Sequence, residues 1–439
     1  MSNRIVVLGA GISGVGAAVL AKEKGFDVFV SEKGKITDTN KKVLLNKMIA
    51  WEEGQHTMEK ILDANEVIKS PGIPDSIELI QNLHEQNIRV ISEIEFAFRY
   101  TKAKIAAITG SNGKTTTTLL LGHVLKNAGY DVLIAGNIGV GFALSLAERD
   151  YDYIVLELSS FQLDGIQNFR SDIAIILNIT PDHLERYGGK LEDYIASKFR
   201  ISENQTEHDF LIYNDDDSLV NTIQTKAKRL PISLIKEQVE GGSLNNNKLI
   251  IKINNQTMKI QELALNGKHN MFNSMAAAIA ARVFEVKDTV IRQSMIDFQN
   301  VEHRLEYVIT VHGIDYINDS KATNVNASWF ALESMQKDII WIAGGVDKGN
   351  DYSELDEMVT SKVKAIICLG NDNQRLIKSF QGKVDTILQA SSMAEAVHQS
   401  FTLANKGQAV LLSPACASFD MFENYEDRGF QFKKSVRAL

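Results

Sequence analysis

The stretch Thr109-Gly110-Ser111-Asn112-Gly113-Lys114-Thr115-Thr116 follows the apolar run Ile105–Ile108 and precedes a segment of good helix formers that ends near Gly129. A buried strand, a glycine-rich turn and a helix in this order are typical of a phosphate-binding loop in a parallel α/β fold. Glycines let backbone N–H groups face phosphate oxygens, and the helix N-terminus adds partial positive charge. Lys114 would then neutralise the β- and γ-phosphates, and a threonine hydroxyl would ligate Mg²⁺.

This loop departs from the full eight-residue phosphate-loop pattern, because Ile108 stands where the first glycine belongs. An ordinary strand-to-helix turn is the alternative interpretation. It explains one glycine, but not a Gly-Lys-Thr-Thr run between a strand and a helix. We therefore predict that the loop binds the phosphates of ATP.

A second glycine cluster, Gly9-Ala10-Gly11-Ile12-Ser13-Gly14, follows the apolar run Arg4–Leu8, and Glu32 lies at the end of the next predicted strand. Taken alone, this dinucleotide fingerprint predicts an NAD-dependent oxidoreductase. The same turn can hold any diphosphate, or can be purely structural. A second phosphate site at Lys114 has no place in a simple dehydrogenase. The two loops together favour an enzyme that uses ATP and a second nucleotide diphosphate.

Length and composition limit the class of protein. The chain has 439 residues, of which 44% are hydrophobic and 23% charged, with a net charge of −8. This length exceeds one hydrophobic core, so two or three domains are expected. The negative charge argues against nucleic-acid binding, and two cysteines make neither a disulfide framework nor a zinc site. No apolar run is long enough for membrane insertion, so we expect a cytoplasmic protein.

Predicted strands and helices alternate along the chain, which indicates parallel sheets. The strands are Arg4–Leu8, Val28–Val30, Val67–Lys69, Ile105–Ile108, Tyr153–Leu156, Ile173–Leu177, Phe210–Tyr213, Ile314–Ile317, Ile339–Ala343, Ala365–Leu369 and Ala409–Leu412, with a hairpin over Lys248–Ile260. Helices are predicted at Ala17–Lys24, Thr117–Asn127 and Ala276–Phe284. We predict three successive α/β domains: a Rossmann-like domain (1–97), a central phosphate-loop ATPase-type domain with a mostly parallel sheet (98–300) and a second Rossmann-like domain (301–439).

Further polar residues follow strands of the central part, where α/β folds place ligands. A carboxylate at Glu157, at the end of the strand Tyr153–Leu156, is suited to hold Mg²⁺ near the Lys114 loop. The stretch Asn178–Leu184 brings Asp182 and His183 together after a proline turn, although a lone histidine is more often structural. Lys198 lies in a helical stretch, where a solvated lysine is the plainest interpretation.

The last third of the chain repeats this pattern. The stretches Asn318–Thr323 and Gly344–Gly349 each follow an apolar strand and carry a lysine, and Ser413–Asp420 places hydroxyls in the same way. Cations and hydroxyls at the ends of neighbouring strands suit a carboxylate or phosphate ligand.

These stretches together resemble the Mur ligase family, ATP-dependent amide-bond-forming enzymes of peptidoglycan precursor assembly, over the whole chain. The blocks that carry the resemblance are Thr109–Thr116, Asn178–Leu184, Gly267–Asn270 with Asn273, His303-Arg304 and Asn318–Thr323. Three further stretches are similar to the D-glutamate-adding members: Gly136–Gly139, Glu157–Leu163 and Leu412–Asp420.

The resemblance implies a monomer that joins D-glutamate to UDP-N-acetylmuramoyl-L-alanine through an acyl phosphate, with ATP and two Mg²⁺ ions. It implies catalytic roles for Lys114, His183 and Lys198, and carbamylation of Lys198 by CO₂. The implied ATP-binding residues are Gly110, Asn112, Gly113, Lys114, Thr115, Thr116, Asn270, Asn273, Arg304, Asp319 and Lys321. Those implied for the UDP-linked substrate are Gly11, Ser13, Gly14, Ser31, Glu32, Ser70, Gly72, Asn137, Ser159 and Gln162. D-glutamate would contact Thr323, Lys348, Ser418 and Tyr425, and the metal ligands would be Thr116, Glu157, His183 and carbamylated Lys198.

One departure from the family pattern concerns the uridine. Ser31-Glu32-Lys33 stands where family members often carry an aspartate, so the side chain that contacts the uridine stays open. Three alternatives to the whole interpretation also stay open: a folylpolyglutamate synthase or a Mur ligase for another amino acid, an NAD-dependent oxidoreductase, and a non-catalytic nucleotide-binding module.

Overall fold

The computed structural model describes residues 3–265, 267–298, 302–347 and 349–439. The predicted boundary near residue 300 and the predicted ligand Lys348 lie outside the described residues. The fold is α/β with three sheets, as predicted. Two compact units divide the chain: Met1–Leu263 with Asn270–Phe298, and Ala264–His269 with Gln299–Leu439. The first two sheets thus belong to one unit, and the division into three domains stays a prediction.

The first sheet is fully parallel, with strand order β3-β2-β1-β4-β5. Its strands are β1 Arg4–Leu8, β2 Asp27–Glu32, β3 Ala50–Glu53, β4 Glu66–Lys69 and β5 Arg89–Ile91, and its helices are α1 Ile12–Glu23, α2 Asp38–Asn46, α3 Met58–Ile61, α4 Glu78–Glu85 and α5 Glu93–Phe98. The strand order reverses between β1 and β4. Loops diverge at such a point, which makes the crevice at the carboxyl ends of these two strands the expected ligand site.

The second sheet has the order β14-β13-β12-β11-β10-β9-β6-β8-β7. Its β12–β13 and β13–β14 pairings are antiparallel, and its other pairings are parallel. Its strands are β6 Lys104–Thr109, β7 Val132–Gly136, β8 Tyr153–Glu157, β9 Ile173–Ile176, β10 Phe210–Asn214, β11 Lys228–Ser233, β12 Gly241–Asn245, β13 Lys248–Ile253 and β14 Gln256–Ile260. Its helices are α6 Lys114–Asn127, α7 Phe142–Glu148, α8 Ser160–Leu163, α9 Leu191–Phe199, α10 Lys268–Val283 and α11 Asp288–Asp297. The predicted hairpin over Lys248–Ile260 is confirmed as β13 and β14.

The third sheet has the order β15-β16-β20-β17-β18-β19, with only the β15–β16 pair antiparallel. Its strands are β15 Glu306–Val311, β16 Ile314–Asn318, β17 Ile339–Ala343, β18 Val363–Leu369, β19 Thr386–Ala390 and β20 Ala409–Leu412. Its helices are α12 Val325–Ser334, α13 Asp356–Lys362, α14 Gln374–Phe380, α15 Met393–Leu403 and α16 Tyr425–Val436.

The three predicted helices exist, but each begins earlier than predicted. They start at Ile12, Lys114 and Lys268, where the prediction had Ala17, Thr117 and Ala276. Glycines in the first turns of α1 and polar residues in those of α6 and α10 obscure the hydrophobic periodicity there. The correction matters for function, because α6 begins directly at Lys114 and its first N–H groups face the glycine loop.

One continuous core connects the first two sheets. Val7 and Ala18 from the first sheet layer belong to the same buried cluster as Phe142 and Leu156 from the second. Helices α1 and α7 pack closely, because Gly16 has no side chain and a Cβ there would lie 3.0 Å from the Leu144 amide nitrogen. The two glycine loops thus belong to one compact unit with a shared apolar core.

Candidate active site

The phosphate loop lies between β6 and α6, and β6 is an interior strand of its sheet, between β9 and β8. Gly113 caps α6 with φ of 86°, and a Cβ there would approach the Asn273 side-chain oxygen to 2.4 Å, so only glycine fits. Asn178 fixes the loop from the neighbouring strand end. Its side chain accepts from the Asn112 amide at 2.8 Å and donates to the Asn112 carbonyl at 3.0 Å. The loop is thus held in place by the predicted Asn178–Leu184 block.

Two lysines meet on one carbonyl of this loop. Lys114 Nζ donates to the Gly110 carbonyl at 2.8 Å and to the Ser111 carbonyl at 2.9 Å. Lys198 Nζ donates to the same Gly110 carbonyl at 2.9 Å. The two lysine amino groups therefore converge on the loop where a nucleotide phosphate would bind.

The interpretation of Lys198 as a solvated lysine is wrong. Its side chain is 2% exposed and lies over the Tyr194 ring, 4.5 Å from the ring centroid. Burial, and then the charge of Lys114, lower the pKa of Lys198 well below its usual value. Burial of this kind disfavours the ammonium form of a lysine, and the neutral amine is the form that reacts as a nucleophile. Local residue patterns do not indicate this burial, since helix α9 is amphipathic and a lysine on such a helix is usually exposed.

Two buried oxygens near the loop lack a hydrogen-bond partner among the described residues. Thr116 Oγ1 and Glu157 Oε2 are buried, and neither makes a hydrogen bond to a described residue. Glu157 pairs in the sheet with Ile108, directly before the loop, and its other oxygen accepts from Asn137 Nδ2 at 2.9 Å. A hydroxyl and a carboxylate oxygen are the ligand types that Mg²⁺ prefers, so these residues fit a magnesium ion. In the described part of the chain, no three His, Cys, Asp or Glu residues cluster closely enough to hold a metal by themselves.

His183 stands at the rim of the site in the left-handed conformation, with φ of 55°. Its ring packs against Phe161 with centroids 5.3 Å apart. Its Nε2 lies 3.7 Å from Asp182, and its Nδ1 lies 3.8 Å from Glu185. The ring is 40% exposed, so it is accessible to a substrate or ion.

Arg186 joins this rim to the first sheet and was not predicted. Its guanidinium donates to the carbonyls of Gly72 and Pro71, both at 3.1 Å. The same group lies over the Phe161 ring at 4.4 Å. The predicted loop Ser70-Pro71-Gly72 is thus linked to the His183 loop.

A cavity of about 630 Å³ opens at the carboxyl ends of β1 and β4. Its lining includes the predicted residues Gly11, Glu32, Ser70 and Gly72, together with His56. Gly14 allows the tight turn, because a Cβ there would lie 2.0 Å from the Gly9 carbonyl oxygen. The first glycine loop thus borders a space that is large enough for a ligand.

Three other residues predicted for the UDP-linked substrate, Ser13, Ser159 and Gln162, make hydrogen bonds within the protein. Ser13 hydrogen-bonds to the fully buried Glu93, and burial raises the pKa of that carboxyl to about 7 against the effect of its hydrogen bonds. Ser159 and Gln162 cap helix α8 reciprocally, with the Gln162 side chain accepting from both the amide and the hydroxyl of Ser159 at 3.0 Å. The two asparagines of α10 that were predicted to bind ATP also contact each other, since Asn273 Nδ2 donates to Asn270 Oδ1 at 3.1 Å.

The second compact unit holds its own cluster. Asp319 is buried and accepts from Ser413 Oγ at 2.8 Å and from the Leu305 amide at 3.1 Å. Burial raises the pKa of Asp319 to about 7, although the positive charge of Arg304 opposes the shift. Lys321 Nζ contacts the Tyr425 hydroxyl at 3.3 Å, so two predicted residues meet here.

Two other residues predicted for D-glutamate differ in exposure, since Thr323 is exposed and Ser418 is buried. Arg428, which was not predicted, is 1% exposed. Its guanidinium donates to the Ser320 hydroxyl at 3.0 Å, to the Ser320 carbonyl at 2.9 Å and to the Cys416 carbonyl at 3.1 Å. Arg428 therefore links the loop Asn318–Thr323 to the loop Ser413–Asp420.

The fold and these loops define an ATP-dependent ligase class, and the chain belongs to the Mur ligase family. Three family models match it: the Mur ligase middle domain at residues 108–281, the Mur ligase, glutamate ligase domain at 303–416 and the MurD N-terminal domain at 4–79. This membership decides against the NAD-dependent oxidoreductase. No described helix has the length and apolar character required to cross a membrane.

Within the family, the chain is similar to proteins named UDP-N-acetylmuramoylalanine–D-glutamate ligase. It is 53% identical to that of Christiangramia forsetii over the full length of both chains, and 52% identical to that of Bacteroides fragilis, again over both full lengths. The solved UDP-N-acetylmuramate-alanine ligase MurC of Thermotoga maritima has the same fold, with a TM-score of 0.63 at 17% identity over 99% of each chain. MurF of the same organism, solved in complex with ADP, has a TM-score of 0.60 at 16% identity over 96% of this chain and 99% of its own.

Proposed function

We propose that this chain is the ligase that joins D-glutamate to UDP-N-acetylmuramoyl-L-alanine, with conversion of ATP to ADP and phosphate, in peptidoglycan precursor synthesis. The names of its full-length relatives support the substrates. The observation that carries the ATP-dependent step is the convergence of Lys114 and Lys198 on the Gly110 carbonyl. We place the reaction in the cytoplasm, in a monomer with domains 1–97, 98–300 and 301–439.

The reaction needs activation of a carboxylate, because its carbon is a poor electrophile and its oxygen a poor leaving group. An oxygen of the substrate carboxylate attacks the γ-phosphorus of ATP, the bond to the β-phosphate oxygen breaks, and an acyl phosphate and ADP result. The amine of D-glutamate then attacks the acyl carbon, and the tetrahedral intermediate collapses with loss of phosphate. Positioning and charge neutralisation supply most of the acceleration.

The residues of this chain divide these tasks. Lys114 holds the terminal phosphate and neutralises its developing charge. Thr116 and Glu157 would hold Mg²⁺, which would supply positive charge for phosphoryl transfer. His183 would belong to a second metal position or would orient the incoming amine. In the second unit, Arg304, Asp319 and Lys321 bind the nucleotide.

D-glutamate is assigned to Thr323, Lys348, Ser418 and Tyr425, of which Lys348 lies outside the described residues. The Lys321–Tyr425 contact supports an anion site beside α16. A carboxylate of the amino acid would accept from such donors.

Lys198 is assigned a carbamate. Its neutral amine would attack the carbon of CO₂ and release a proton to solvent. The product is a carbamate, an anion whose oxygens can ligate a metal, in place of a lysine that is otherwise a cation or a neutral amine. The support is its burial beside Lys114, which disfavours the ammonium form. Labelling with ¹³C-bicarbonate should give a carbamate carbon signal in the parent protein and none in Lys198→Ala, whose activity should fall sharply. Full activity of Lys198→Ala, with or without added bicarbonate, would exclude the assignment.

Two assays test the whole proposal. Phosphate release from ATP and UDP-N-acetylmuramoyl-L-alanine should require D-glutamate in a panel of L- and D-amino acids. Carboxyl-¹⁸O-labelled substrate should transfer one label to the released phosphate. Release with a different amino acid would overturn the substrate, and absence of label transfer would overturn the acyl phosphate.

A further inference from the structure

A chain of three side chains runs behind the wall of the cavity in the first sheet. Ser31 on β2 is fully buried, and its Oγ lies 2.8 Å from Glu52 Oε1 on β3 and 2.7 Å from His56 Nδ1. His56 itself lines the cavity. Glu52 and His56 have no role in the assignments above.

The direction of these hydrogen bonds follows from the charge of Glu52. Burial opposes its ionisation, but hydrogen bonds from the Thr57 amide and hydroxyl, Ser31 and Lys60 lower its pKa to about 2. A carboxylate can only accept, so the single proton of the Ser31 hydroxyl points to Glu52. The Ser31 oxygen must then accept from His56, which places a proton on His56 Nδ1.

The remaining nitrogen of His56 is therefore an acceptor. Burial lowers the pKa of His56 despite the carboxylates of Glu32 and Glu52, and the charge of Lys33 adds to the effect, so the neutral ring prevails at pH 7. A neutral imidazole with a proton on Nδ1 has a lone pair on Nε2. Nε2 makes no hydrogen bond to a described residue, while Nδ1 is turned away from the cavity toward Ser31.

Neither acidic side chain nearby competes for this role. Glu32 Oε2 accepts from the Ala10 amide and Oε1 from the Gly34 amide, both at 2.7 Å, so Glu32 holds the glycine loop itself. Glu52 is buried behind Ser31. The open question about residues 31–33 thus has a structural reason: Ser31 and Glu32 are engaged within the protein.

We propose that His56 Nε2 accepts the N3–H of the uracil ring and selects uridine over cytidine nucleotides, on the assumption that the proposed UDP-linked substrate binds in this cavity. Uracil N3 is a donor, whereas N3 of neutral cytosine is an acceptor that would face a second lone pair. A site built to pair with a donor strongly disfavours an analogue that lacks it, because a buried polar group is left without its partner.

Calorimetric titration of the full-length protein with UDP, CDP and N3-methyl-UDP tests this. The parent should bind UDP about tenfold to hundredfold more tightly than either analogue, the range expected for one buried hydrogen bond. His56→Ala should reduce this preference to within about threefold, and Ser31→Ala should reduce it partly, because the proton on His56 is then no longer fixed to Nδ1. His56→Gln, whose side-chain oxygen can accept, should retain a preference, and His84→Ala on the surface of α4 should match the parent.

Acidification gives a second readout that a merely structural histidine would not move. A protonated His56 cannot accept, so UDP affinity should fall between pH 7.5 and 5.5 in the parent more than in His56→Gln. The charged groups around the ring are Glu32, Lys33 and Glu52, with Glu78 across the cavity, and all four are unchanged in both proteins.

The outcomes are distinguishable. If the parent does not bind UDP, the proposed function is wrong at this site. If it binds UDP but His56→Ala and His56→Gln both keep the full preference over CDP and N3-methyl-UDP, only the role of His56 is overturned. Should His56→Ala unfold, as judged by circular dichroism, the Gln and Ser31→Ala proteins decide the question.

Discussion

The two glycine-rich loops of the first compact unit share a backbone design and differ in charge. Each follows an interior strand of its sheet and precedes a helix, α1 or α6. The loop after β1 is held by a carboxylate, since Glu32 accepts from the Ala10 amide. The loop after β6 is held by lysine side chains, since Lys114 and Lys198 both donate to the Gly110 carbonyl.

This difference matches what each phosphate group must do in the proposed reaction. The diphosphate of the UDP-linked substrate only has to be bound, and backbone N–H groups with a helix terminus suffice for that. The γ-phosphate of ATP has to be transferred, and charge that develops during transfer requires fixed cations. The same kind of turn therefore has two uses. Gly9–Gly14 in the first sheet is an anchor loop, which only binds a diphosphate, whereas Thr109–Thr116 in the second sheet is the reaction centre.

The largest expected effect is the loss of Lys114. Lys114→Ala should lower kcat on the order of 10³-fold, as for removal of a group that stabilises transition-state charge. Binding of UDP should be unchanged, because the anchor loop does not contain this residue. Lys126→Ala, an exposed lysine at the other end of α6, is the matched control. If Lys114→Ala formed the amide at the parent rate, the assignment of the Thr109–Thr116 loop as the reaction centre would be wrong.

Next in size is an added methyl group in the anchor loop. Gly14→Ala would place Cβ 2.0 Å from the Gly9 carbonyl oxygen, while a Cβ at Gly11 meets nothing within 4 Å. We expect Gly14→Ala to lower the free energy of unfolding by about 1–3 kcal/mol, with weaker UDP binding. Gly11→Ala should stay within about 0.5 kcal/mol. Equal denaturation midpoints for the two variants would show that the turn is not as tight as described.

The sequence was sufficient for the strands and the glycine loops, because buried runs and glycine turns are local signals. Local patterns did not reveal the burial of Lys198, which only the family resemblance singled out, or the contacts of His56 and Arg428, because all three depend on distant partners. Lys198 is buried by packing against the loop 88 residues earlier, to whose Gly110 carbonyl it donates. Arg428 lies on an amphipathic helix, where arginine is normally exposed, yet it bonds to Ser320 across 108 residues. No periodicity of a local segment contains such information.

A smaller effect is expected from the carboxylate that holds the anchor loop. Glu32→Gln keeps the shape but replaces one accepting oxygen with a donor group, so the bond from the Ala10 or the Gly34 amide is lost. We expect a cost of about 1–2 kcal/mol in unfolding free energy and a several-fold rise in the Kd for UDP. The kcat at saturating substrate should not change. Glu23→Gln, which removes only a surface pair with Lys47, is the control and should leave the unfolding free energy and the Kd for UDP essentially unchanged.

The smallest effect concerns the link between the anchor loop region and the His183 rim. Arg186 donates to the Gly72 and Pro71 carbonyls and lies over the Phe161 ring. Arg186→Lys keeps the charge but loses the forked donor geometry and most of the ring contact. The expected loss of about 0.5–1 kcal/mol should appear as a twofold to fivefold rise in KM for the UDP-linked substrate, with KM for ATP unchanged. Arg89→Lys, at a 62% exposed arginine of β5, is the control. If KM for ATP rises equally in Arg186→Lys, the two loops act as one coupled site, and the separation of anchor from reaction centre does not hold.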